Sequence, residues 1–153
     1  MEILSYKIFP EKILPYEDFG PVAEDLSSKV INFLEVNGLQ SICSLQLGYA
    51  RKWFVMLGEP SFVCFNPQIV STNEEEVFME EGCPSYPGLV VKIKRPSQVR
   101  LRFQVPSGLT TTKVFDGYSA RLIQHQVDKL EGRKFYDKAN WANRSRALKK
   151  WKK

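Results

Sequence analysis

His125 is the single histidine of this 153-residue chain, and its neighbours decide what an imidazole there can do. It lies in the run Leu122-Ile123-Gln124-His125-Gln126-Val127-Asp128-Lys129-Leu130. At helical spacing, Asp128 and Lys129 share a face with the imidazole. A thiolate and an imidazole are common ligands for zinc or iron, and Cys83, in Glu81-Gly82-Cys83-Pro84-Ser85, can supply the thiolate. Lys129 is no ligand at neutral pH unless deeply desolvated, because its ammonium repels a dication. Without a metal the same pair could act as a thiol–imidazole dyad. The plainer reading is a hydrogen-bonded histidine and a small buried thiol.

Several elements must position these groups. Gly20-Pro21 precedes Val22, Leu26, Val30, Phe33 and Leu34 at helical spacing, and Asn37-Gly38 closes the run, which predicts a helix. Trp53 to Phe65 reads as two short strands broken at Gly58-Glu59-Pro60, and Phe65-Asn66-Pro67-Gln68-Ile69 leads into an acidic loop with Glu74, Glu75 and Glu76. Leu89–Lys94 and Gln98–Val105 alternate apolar and polar residues as half-buried strands do, and Pro106-Ser107-Gly108 turns the chain into Thr110–Phe115. The last clear helix runs from about Tyr118 to Glu131, with Gly132 as its stop. Helix, then strands, then helix predicts an α+β fold.

Charge is unevenly distributed. Residues 1–115 carry 11 Lys+Arg against 13 Asp+Glu, whereas residues 116–153 carry 11 against 4. This divides the chain into a domain over 1–137 and a basic tail over 138–153 that holds Arg144, Arg146, Lys149, Lys150, Lys152 and Lys153. Such a tail can seek phosphate through counterion release, with Trp141 and Trp151 free to stack on bases, or can simply be solvated. Three cysteines, an odd number, and no export signal point to free thiols in the cytoplasm. No apolar stretch reaches the roughly 20 residues of a membrane span.

Three segments, in order, resemble the peptide deformylase family. The run at His125 is similar to the family's His-Glu-x-x-Asp-His, and Glu81-Gly82-Cys83-Pro84-Ser85 to its Glu-Gly-Cys-Leu-Ser. Leu39-Gln40-Ser41-Ile42-Cys43-Ser44-Leu45-Gln46 lines up with Gly-x-Gly-Leu-Ala-Ala-x-Gln. Phe65-Asn66-Pro67 and Phe135-Tyr136-Asp137 add weaker matches. The resemblance implies antiparallel strands around a central helix that carries the metal-ligand motif. It also implies the family reaction, removal of the formyl group from N-formylmethionyl peptides by a metal-activated water. A small bacterial or bacteriophage genome would suit so short and diverged a member.

On this pattern Cys83 and His125 are residual ligand positions, and Lys129 replaces the third ligand. Gln126 replaces the catalytic glutamate and has no proton-accepting carboxylate, a loss worth about 10²–10⁴-fold in rate. Gln46 matches the oxyanion glutamine, but Pro84 lacks the backbone N–H that would be its partner donor. Leu39 and Ser41 stand where glycines line the substrate groove, beside Glu81 and Gly82. Lys129 placed beside Cys83 would form an ion pair in place of the metal charge, and Gln126 could hydrogen-bond a formyl or carboxyl group.

The resulting expectation is a catalytically dead or severely impaired deformylase-like protein that acts by binding. Its partners would be N-terminal methionyl peptides, or the ribosome or other RNA through the tail. No cofactor is expected, beyond weak Zn or Fe at Cys83 and His125. The alternative is a weakly active deformylase with an atypical metal site made by Cys83, His125 and Asp128.

Overall fold

A computed structural model describes residues 1–152. Helix α1 spans Pro21–Asn37 and ends at Gly38, whose positive φ of 64° continues the chain out of the helix. Seven strands follow: β1 Ser41–Cys43, β2 Trp53–Met56, β3 Phe62–Thr72, β4 Glu76–Cys83, β5 Tyr86–Pro96, β6 Gln98–Gln104 and β7 Thr110–Asp116. Helices α2 (Gly117–Leu130) and α3 (Trp141–Trp151) complete the chain.

The strands form two antiparallel sheets. One has the order β1-β2-β3-β6-β7, and the other is the β4–β5 hairpin. The apolar stripe of α1 (Ala23, Val30, Leu34) packs with Ile42, Trp53, Val55 and Phe65. Helix α2 presents Ala120, Ile123, Val127 and Leu130 to Phe54, Cys64, Leu101 and Phe103. Its other flank turns toward the hairpin, so it is buried nearly all round. This is the α+β arrangement of antiparallel strands around a central helix. Burying the polar flank requires a hydrogen-bond partner for each of its side chains.

The structure differs from the sequence reading at three places. Strand β4 occupies Glu76–Cys83, where only an acidic loop was expected at its start. Its residues are exposed except for Glu81 and Cys83, so apolar alternation does not reveal the strand. Strand β3 runs on to Thr72 through a register shift between Phe65 and Gln68, which accommodates Pro67 where it has no N–H to give the ladder. Within residues 138–152, expected as part of a basic tail, the chain forms α3, which lies across β5. Ala147, Leu148 and Trp151 pack on a third cluster containing Tyr86, Leu89, Ile93 and Phe135, and the Trp151 indole N–H donates to the Pro87 carbonyl at 2.7 Å. Trp151 is therefore unavailable to stack on a base, whereas Trp141 is exposed. Lys153 lies outside the described residues. Among the described residues, no helix is long and apolar enough to cross a membrane.

Candidate active site

The site is built where α2 meets the turn after β1 and the end of β4. Ser44–Leu47 forms one turn of 3-10 helix, in which the Gln46 side chain folds back to accept the Cys43 N–H at 3.0 Å. That local bond fixes the amide of Gln46 and buries it completely. Cys83 ends β4, opposite a register shift against β5, and is almost fully buried. From α2, Lys129 reaches between them. Its Nζ donates to Gln46 Oε1 at 2.8 Å and to Cys83 Sγ at 3.3 Å, while Gln46 Nε2 lies 3.5 Å from the same sulfur. Burial would push the Cys83 thiol up. The Lys129 ammonium outweighs it, helped by His125 and the Ser85 backbone, and brings the thiol down to about 6. Burial alone pushes the Cys64 thiol up, and at Cys43 burial outweighs the lowering by Lys129 and the neighbouring backbone, so that thiol is pushed up as well.

Behind this triangle lies a network of charges. Glu81 is buried, and its carboxylate accepts from Arg95 at 2.6 and 3.0 Å, from Arg121 at 2.7 Å and meets His125 Nδ1 at 2.9 Å. Burial opposes its ionisation, but the His125 and Arg95 bonds win and hold it at about 2. Arg95 also bonds Asp128 at 2.7 Å and the Phe135 carbonyl, and Arg121 bonds the Ile93 and Val77 carbonyls. Asp128 is further met by Arg133 and Lys138. Buried Arg95 thus joins the two buried carboxylates Glu81 and Asp128, buried Arg121 adds a second cation to Glu81, and buried Lys129 faces the Cys83 sulfur instead.

In front of the triangle is a cleft of about 230 Å³ bordered by Leu39, Ser41, Gly82, Pro84, Gln126 and Lys129. Gln126 Nε2 donates to Ser41 Oγ at 2.7 Å, and its Oε1 is buried without a partner. Proline at residue 84 leaves no backbone donor following the cysteine.

The residues singled out in the sequence fall into two groups. Leu39, Ser41, Gln46, Gly82, Pro84, His125, Gln126 and Lys129 converge on the cleft, with Cys83 behind it. Glu81 also borders it, but its carboxylate turns inward as a charge hub rather than outward as groove lining. Arg144, Arg146, Lys149, Lys150 and Lys152 belong to α3 and its end, away from the cleft lining. Arg95 and Arg121 were missed. The signal for Arg95 was its place on the inward face of the Val91-Lys92-Ile93-Lys94-Arg95 alternation, where a charge demands a partner.

The polypeptide deformylase family model matches residues 1–145. A peptide deformylase of Thermotoga petrophila is 35% identical over 151 residues, covering 98% of this chain and 92% of that protein. This chain belongs to the peptide deformylase family. A protein named peptide deformylase-like in Agrobacterium fabrum is 29% identical over 141 residues, covering 91% and 86% of the two chains. Among solved structures, peptide deformylase 1B of Arabidopsis thaliana superposes with a TM-score of 0.90 at 24% identity, covering 99% of this chain and 88% of that one. Peptide deformylase of Thermotoga maritima gives 0.84 at 25%, covering 91% and 97%.

The family is metal-dependent, which requires a set of donors that can hold an ion. Cys83 and His125 remain, but among the described residues no cluster of three His, Cys, Asp or Glu side chains could hold one. Asp128, the candidate third ligand of the weakly active alternative, is committed to Arg95, Arg133 and Lys138. Lys129 points its ammonium at the sulfur that would bind the ion. These residues do not fit a three-ligand metal site.

Proposed function

We propose that this deformylase-family chain has exchanged hydrolysis for binding and holds N-terminal methionyl peptides in its cleft, within the cytoplasm. The observation that carries this reading is the Lys129 ammonium at the third-ligand position, bonded to both Gln46 and Cys83. It supplies the positive charge that would otherwise come from a metal, and it leaves no activated water. Gln126 supports the same reading. An amide cannot take a proton from water at neutral pH, but its unpartnered oxygen can accept an N–H from a ligand. Three departures from the family pattern also contact one another or the retained residues. Ser41 accepts from Gln126, and Lys129 bonds Gln46.

The test combines turnover of formyl-Met-Ala-Ser, with Zn²⁺ or Fe²⁺ supplied, and calorimetric binding of the same peptide. Binding with turnover at background is expected. Robust turnover by the wild-type chain would overturn the proposal, as would a failure to bind the peptide.

A further inference from the structure

A trough of about 830 Å³ runs along the outer face of the hairpin, with α3 as its second wall, and meets the cleft at Glu80. Strand β5 points Val90 and Lys92 into it and β4 adds Glu80, while α3 contributes Arg146, Lys150 and Trp151. Three cations therefore face one carboxylate. Among the described residues none of the three is within salt-bridge distance of an acid, unlike Arg95, Arg121 and Arg133 of the buried network. The cationic line continues along the hairpin. Lys92 and Lys94 each hold Nζ 5.4 Å from the centroid of the Phe78 ring, itself 45% exposed, and the register sets Phe78 opposite Lys94 and Glu80 opposite Lys92.

We propose that this trough binds single-stranded RNA, with phosphates on Lys92, Arg146 and Lys150 and a base against Phe78. Cations without a carboxylate partner on two facing walls suit a phosphodiester chain, which gains affinity from counterion release. An exposed aromatic beside them suits a base, since stacking is tolerant of sequence. The trough is concave, which disfavours a flat lipid surface. The free side of β5 is covered by α3, where Asn143 donates to the Lys92 carbonyl, so a peptide has no open strand edge to join there. The fold thus changes the expectation of a loose basic tail. Trp151 is a structural anchor, and Lys92, Lys94 and Phe78 from distant parts of the chain complete the surface.

The test titrates the full chain into a fluorescein-labelled oligouridylate of about 12 nucleotides, within the size range of such sites, across a series of salt concentrations. K92E/K150E is compared with R100E/R102E, which makes the same charge change at exposed positions of β6. Both variants are first shown to keep the wild-type melting transition, and the charge-removing pair K92M/K150M replaces the first if it does not. The trough variant is expected to weaken binding about tenfold or more and to flatten the salt slope by about 1.4, at ~0.7 per lost phosphate contact. The β6 variant is expected to stay within about twofold of wild type at each salt concentration. Equal weakening by both variants would overturn the proposal. So would absence of RNA binding at low salt, or tighter binding to phosphatidylserine vesicles or polyglutamate than to the oligonucleotide.

Discussion

The two flanks of α2's polar face are finished differently. Behind Cys83, Glu81 meets two arginines and His125, and Asp128 meets Arg95, Arg133 and Lys138. In front, Lys129 has two side-chain partners and Gln126 keeps an oxygen with none. Buried polar groups are costly unless satisfied, so the rear network is support and the front is where a missing partner can be supplied by a ligand. The substitutions at residues 39, 41, 84, 126 and 129, where the family pattern has groove glycines, an oxyanion donor, the base and a ligand, lie at the front. The chain keeps what holds the helix in place and changes what would act on a substrate.

The contrast breaks most visibly at Arg95. Arg95→Met leaves two buried carboxylates short of their shared cation and should cost about 3–5 kcal/mol, read from urea unfolding. A loss below about 1 kcal/mol would mean that the network is no support at all. Acid tests the same flank without mutation. Glu81 has its folded value depressed to about 2 from an ordinary 4.5, so its contribution is fully present above 4.5 and disappears as pH falls toward 2. The expected loss across that window is about 3 kcal/mol, and Glu81→Gln should remove the pH dependence there.

The front should yield less. Lys129→Met takes the ammonium from Cys83 and Gln46, but the sulfur can respond by holding its proton and becoming a neutral thiol. A cost of about 1–3 kcal/mol is expected in the same unfolding measurement. The Cys83 titration, followed by thiolate ultraviolet absorbance, should move upward from about 6, because burial is then less opposed. An unmoved titration would detach Lys129 from the sulfur and blur the difference between the two flanks.

Much of this architecture is legible in the sequence. The stripe of α1, the alternation of β5 to β7 and the run from Tyr118 to Gly132 each carry a period that burial enforces. Strand β4 is not legible, because an exposed hairpin edge needs no apolar alternation, and the register shift in β3 hides a continuous strand behind a proline. Helix α3 is masked by its charge. Only Ala147, Leu148 and Trp151 face the core, too few to stand out among its basic residues. Within the site, the residues that replace ligand and base are readable from motif spacing. Their new partners are not, since Ser41 and Gln126, or Gln46 and Lys129, meet only through tertiary packing.

Metal stoichiometry tests the central claim, that the Lys129 ammonium stands where the family places an ion, most directly. Purified protein is loaded anaerobically with Fe²⁺ or with Zn²⁺, desalted and analysed for bound metal, beside the Q126E/K129H variant that restores a Cys83, His125 and residue-129 donor set. Far less than one ion per chain is expected for the wild type, with a melting temperature unchanged by chelator, and close to one ion per chain for the variant. One tightly held ion per wild-type chain, with a melting temperature that falls on chelation, would contradict the claim.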